Sequence, residues 1–196
     1  KAQNATLNKS GVAGGLVSRN GLVKYDGDAA AGSILGFIGA PLGPGPGATT
    51  DDLTTYYIAN DAGTWFKSTN SFSTSSTVST LATSASPDSL SVNLGNRLYY
   101  ASGTTVRVFD GIKDALFSDI GGHTIRWMGG FDGKVYVSTT TGGSGYVLEL
   151  DSVGRVRQVG AALPSSYLPT GLQLHNSDLF AASFKSGSVS KIWRIR

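Results

Sequence analysis

The chain has 196 residues with 16 Lys and Arg against 13 Asp and Glu, a net charge of +3, and it is long enough for one domain with a sizeable core or at most two small ones. Only 15% of residues are charged and Ser, Thr and Gly take their place, a mixture that supplies strand formers and tight turns and leaves Glu149 as the only glutamate. Cysteine is absent, which excludes a disulfide framework and a thiolate metal site; the cations are scattered singly, unlike the dense stripe of a nucleic-acid surface, and no apolar run approaches the ~20 residues of a membrane helix.

Read in chain order, the segment "KAQNATLNKSGV" (1–12) opens without an initiator Met, as expected of a processed chain or an excised domain, and contains a "NAT" glycosylation sequon at 4–6. "GGLVSRNGLVKYDG" (14–27) is a short apolar run, a Gly-containing turn and an alternating run, the pattern of a β-hairpin. "DGDAAAG" (26–32) is acidic but lacks the alternating oxygen ligands and terminal Glu of a calcium loop. "APLGPGPGATT" (40–50) predicts an irregular loop, because proline fixes φ and glycine interrupts regular structure. A second hairpin follows at 56–69, and the low-complexity stretch 68–89 predicts a polar strand with a long loop.

From there the units become regular. "SLSVNLG" (89–95) is a short strand ahead of the hairpin "LYYASGTTVRVFDG" (98–111), and "ALFSDIGG" (115–122) is the polar strand behind it. "TIRWMGG" (124–130), a hairpin at 135–152 and "GRVRQVGAAL" (154–163) repeat the order. "GLQLHN" (171–176) and a hairpin at 179–196 repeat it again, with no strand behind. The five hairpins start at 14, 56, 98, 135 and 179, in steps of 42, 42, 37 and 44 residues.

A period near forty with about four strands per unit resembles the β-propeller superfamily over essentially the whole chain. The resemblance implies an all-β fold: a single domain over 1–196, a five-bladed β-propeller whose ring is closed by the N-terminal strand joining the C-terminal blade. The hairpin strands are then apolar on both faces because blades stack on both faces. The hairpin at 98–111 is also similar to units of phage tail propellers.

Chemistry is sparse. The two histidines, His123 and His175, stand 52 residues apart and have no carboxylate at ligand spacing, so neither a metal nor any other cofactor is expected. No G-x-S-x-G elbow occurs. Glycoside hydrolysis needs two carboxylates across a substrate; Asp51, Asp52, Asp88 and Asp132 fall only at the ends of inner strands, and Glu149 lies in a hairpin strand. "NDAGTW" (60–65) is similar to the Asp-box turn of sialidase-like propellers but is one residue short and occurs once. The Asp-Gly pairs at 26–27, 110–111 and 132–133 read as turns. Trp65 and Trp193 occupy matching hairpin strands, with Tyr146 near that position in a third, which fits packing between blades. Trp127 differs: it lies in an inner strand beside Arg126 and before a Gly pair, and an aromatic plane with a guanidinium suits a sugar ring or a carboxylated ligand. The candidate ligand-binding residues are Trp127, Arg126, His123 and His175, the histidines facing the channel.

The expected function is therefore a non-enzymatic attachment module that recognises glycans, extracellular or on a virion, with a glycan or surface receptor as partner. The alternative is a structural part of an assembly such as a phage tail, with other protein subunits as partners; a glycosidase is the third reading. No nucleic acid partner and no membrane insertion are expected.

Overall fold

A computed structural model of the chain describes residues 41–43 and 90–195 in full, and elsewhere only the backbone of six further strands. All regular structure among the described residues is β, with no helix. The strands are β1 (Ala5–Leu7), β2 (Leu16–Ser18), β3 (Ile34–Leu42), β4 (Thr54–Asp61), β5 (Thr64–Ser68), β6 (Ser79–Thr83), β7 (Ser91–Leu94), β8 (Arg97–Ser102), β9 (Thr105–Phe109), β10 (Asp114–Asp119), β11 (Thr124–Phe131), β12 (Lys134–Thr141), β13 (Ser144–Leu150), β14 (Val156–Gln158), β15 (Leu168–His175), β16 (Asp178–Phe184) and β17 (Lys191–Ile195). They form antiparallel meanders in which sequence neighbours pair: sheet I (β3–β6), sheet II (β7–β10), sheet III (β11–β14) and the three-stranded sheet IV (β15–β17), with β1–β2 as a separate pair.

Turn chemistry sets these registers. The first two strands of sheets II, III and IV are joined by Gly95–Asn96, Asp132–Gly133 and Asn176–Ser177, and both residues of each pair have positive φ, as a type I′ turn requires. The register aligns β8, β12 and β16 residue by residue: Leu98, Val135 and Leu179 are equivalent, as are Tyr99, Tyr136 and Phe180, and Ala101, Ser138 and Ala182. A second repeated device lies in the first strand. β3, β11 and β15 each carry a one-residue bulge near the start, at Leu35, Arg126 and Thr170. In β11 the bulge turns Ile125 and Trp127 to opposite faces although they are two residues apart.

The core lies between the sheets. Tyr99, Ala101 and Val106 of sheet II pack against Ile125, Met128, Val135, Val137, Leu148 and Leu150 of sheet III. The other face of sheet III, with Val147, Tyr136 and Trp127, packs on Leu172, Leu179 and Ala181 of sheet IV. Sheet III is thus apolar on both faces because it is covered on both faces, and each Val or Leu so buried contributes about 1.5–3 kcal/mol. β7, β11 and β15, the first strands of successive sheets, lie side by side. On the far face of sheet II, Leu98, Tyr100 and Phe109 are fully buried, and β3 of sheet I runs beside β8.

The structure corrects two sequence-based expectations. The N-terminal strand β1 pairs with β2, not with the C-terminal sheet; β17 pairs only with β16 among the described residues, and no pairing closes a ring. Long-range closure depends on distant residues meeting, which no local pattern encodes. Of the hairpin placed at 14–27 only Leu16–Ser18 is described, as β2, and its turn and second strand lie outside the described residues. Ala40, Pro41 and Leu42 belong to β3, so the irregular loop expected from residue 40 does not begin there, and residues 44–50 lie outside the described residues. Pro41 is tolerated because β3 is an edge strand in its own sheet. The "DGDAAAG" segment and Asp51, Asp52 and Asp88 lie outside the described residues.

Candidate functional site

The β12–β13 end of sheet III and the β16–β17 turn of sheet IV lie together, bridged by the segment that links β14 to β15. That segment is tied down by backbone hydrogen bonds from Leu163 N to Gly145 O (2.8 Å) and from Ser166 N to Gly143 O (3.0 Å). Gly145 is needed for this seating: a Cβ there would meet the Tyr167 carbonyl and Pro169 Cδ at 2.8 Å. The anchored segment delivers Tyr167 to the seam between the sheets, where it is only 7% exposed.

Four side chains from sheet IV surround that ring. Trp193 of β17 meets Tyr167 edge to face, centroids 5.4 Å apart, and its indole N–H donates to Ser183 Oγ at 2.7 Å, which fixes its rotamer. Lys185 and Lys191 flank the β16–β17 turn, which Gly187 at φ +71° and a Ser188 N to Lys185 O bond hold tight. Their ammonium groups sit 5.5 and 5.1 Å from the Tyr167 centroid, and Lys191 also lies 5.5 Å from the Trp193 ring, within cation–π range. The Ser188 hydroxyl and the Lys191 ammonium act on the Tyr167 phenol, and with the charges of both lysines nearby they hold its pKa below the ordinary tyrosine value. The result is a positively charged aromatic corner in which Tyr167 is buried, Lys185 and Trp193 are half-buried and Lys191 is exposed.

The residues singled out by sequence are distributed around this corner without forming one site. His123 and Arg126 share its end of the stack: His123 Nδ1 bonds Thr139 Oγ1 at 2.9 Å with its ring against Tyr146, and Arg126 Nε donates to Thr140 Oγ1 at 3.3 Å. Trp127 turns inward. Its ring stacks on Phe131, 6.2 Å away and 15° from parallel, and covers Gly129, where a Cβ would strike the indole. His175 is at the opposite end, at the β15–β16 turn, hydrogen-bonded to Asn176 and bordering a shallow apolar groove of about 520 Å³ with Phe180, Ala182 and Ile192. By register Trp193 aligns with Leu148 rather than Tyr146. Tyr167, Lys185 and Lys191 were missed; the only local signal was a serine-rich turn bracketed by lysines, "KSGSVSK" (185–191).

The carboxylates hold the scaffold. Glu149, on β13 with its side chain 8% exposed, accepts from Lys134 (3.1 Å), Tyr136 (3.0 Å) and Arg157 (2.9 Å). Burial pulls its pKa up, but hydrogen bonds from Arg157, Lys134 and Tyr136 outweigh it and leave the group below the usual range. Asp114 accepts from Tyr100 and doubly from Arg107, and Asp178 pairs with Arg194. Asp110, Asp119 and Asp151 accept from backbone N–H groups in turns. Among the described residues no three metal-ligating side chains converge. No family model matches the sequence, and no curated protein matches it.

Proposed function

We propose that the chain is a non-enzymatic attachment module, a β-propeller whose sheets are its blades, and that it binds carbohydrate on a cell or virion surface. The observation that carries this reading is the Tyr167–Trp193 pair at the seam of two sheets, ringed by lysine and serine donors. An apolar sugar face packs on an aromatic plane while its hydroxyls take hydrogen bonds from the edge, and loops on a rigid scaffold hold such groups in place. The propeller reading is supported by the repeated meander, the adjacent first strands and the outer face of sheet IV, where Phe180 and Ala182 occupy the positions by which Tyr99 and Ala101 pack on the next sheet. Closing the ring sets sheet I against that face. The described carboxylates, Asp132 excepted, are engaged in ion pairs or turns, which favours binding over glycoside hydrolysis.

Saturation-transfer NMR of the full chain against a glycan panel tests this reading. Transfer to sugar protons is expected, with loss in W193A while the circular dichroism of the fold is retained. No transfer to any glycan at millimolar concentration overturns it.

A second reading, a structural component of an assembly, is favoured by the same outer face: Phe184 is 47% and Ile192 76% exposed beside the apolar groove. There the occupant is a second copy. Sedimentation over a hundredfold concentration range separates the two: a monomer throughout supports ring closure, and self-association that I192D abolishes supports assembly.

A further inference from the structure

We infer that Lys185 and Lys191, side by side at the Tyr167 ring, form a carboxylate subsite, and that the ligand of this corner is an acidic sugar carrying a carboxylate. The inference rests on the glycan-binding reading and names the class of glycan.

The molecule supplies its own comparison. Among the described residues Asp114 pairs with Arg107, Asp178 with Arg194, and Glu149 with Lys134 and Arg157 together. The Glu149 cluster is the closest parallel, because two cations and one tyrosine hydroxyl surround its carboxylate. The Tyr167 corner likewise brings two cations to one tyrosine, with both ammonium groups within 5.5 Å of its ring centroid. Neither lysine pairs with an acidic side chain among the described residues. Two like charges drawn to one ring repel each other, and the π-face of Tyr167 offsets only part of that cost. A carboxylate placed between them removes the repulsion and forms charge-assisted hydrogen bonds.

The aromatic pair lies next to the same two charges. Both ammonium groups lie within 5.5 Å of the Tyr167 centroid, and Lys191 also lies 5.5 Å from the Trp193 ring, so a carboxylate held by the lysines sits next to the aromatic pair. The indole of Trp193 lies beside it as the plane for the sugar ring. Uronic acid units and sialic-type sugar acids both carry such a carboxylate, and the two sources are separated by the choice of probes.

Isothermal titration of the full chain with trigalacturonate, its methyl ester, sialyllactose and lactose tests the inference. At least one of the two acidic sugars is expected to bind at least tenfold more tightly than its neutral counterpart, and the active pair identifies the source. K185Q/K191Q is expected to erase that preference, while K185R/K191R, which keeps both charges, retains most of it. Raising salt is expected to weaken acidic-sugar binding and leave neutral-sugar binding unchanged. Equal affinity for acid and neutral partners overturns the carboxylate subsite and leaves the glycan reading standing, as does full acid preference in K185Q/K191Q. Binding of none of the four probes, with no signal across the wider glycan panel, overturns both.

Discussion

Gly129 and Gly130 show how little space separates the sheets. A Cβ at Gly129 would run into the Trp127 indole, and one at Gly130 would lie 3.2 Å from Leu94 and Val92 on the opposite side. The Gly pair beside Trp127 is therefore a packing device that seats the indole on one face and β7 on the other. G129A is expected to destabilise the fold by about 1–3 kcal/mol through overpacking, read as a lower urea midpoint, and W127A/G129A to lose less than the sum of the single changes. Glu149 carries a pH signature. Its folded pKa lies below the unfolded value of 4.5, so its contribution is complete above that value and is lost as pH falls through the folded value. E149Q is expected to cost about 1–3 kcal/mol at neutral pH, and the gap in urea midpoint between it and the wild type should close below pH 4.5. Tyr136 behaves in the opposite sense: burial, then the hydrogen bond to Glu149, pushes its pKa up to about 12, so the phenol stays protonated past the ordinary tyrosine range.

At the scale of the element, one tripeptide serves two turns. Phe-Asp-Gly at 131–133 places Asp132 and Gly133 in a type I′ turn, both with positive φ. The same letters at 109–111 lead out of β9, where Asp110 Oδ1 accepts from Ile112 N and Lys113 N and only Gly111 has positive φ. The difference comes from the flanking strands: two residues span the gap between Phe131 and Lys134, and four span that between Phe109 and Asp114. Ser177 is the weak member of the I′ set, a non-glycine residue held at φ +66°. S177G is expected to stabilise the chain by about 0.5–1 kcal/mol, because glycine adopts that conformation without the Cβ clash, and thermal unfolding reads the gain directly.

For the molecule as a whole, protection follows the stacking. Sheet III is covered on both faces, whereas β17 is an edge strand whose only partner among the described residues is β16. Hydrogen exchange is expected to be slowest at the amides of Val135, Val137 and Leu148 and faster by orders of magnitude along Lys191–Ile195. Uniform protection across the two sheets overturns this picture of a central sheet with an open flank. The same edge carries Trp193 and Lys191, so a bound ligand that ties β17 to the Tyr167 segment is expected to slow exchange there first.

The hairpins at 56–69, 98–111, 135–152 and 179–196 and the strands ahead of the last three were legible in the sequence, and the structure contains them. Each depends on a turn and an alternation written within some fifteen residues, so local chemistry is enough to specify it. Only the tertiary structure decided that β1 pairs with β2, that Trp127 lies flat over Gly129, and that Tyr167, Lys185, Lys191 and Trp193 form one corner. Tyr167 comes from the segment between β14 and β15 and the other three from the β16–β17 hairpin, and their meeting is set by how the sheets stack. Stacking is a property of buried faces taken together, and no short window of sequence holds both faces.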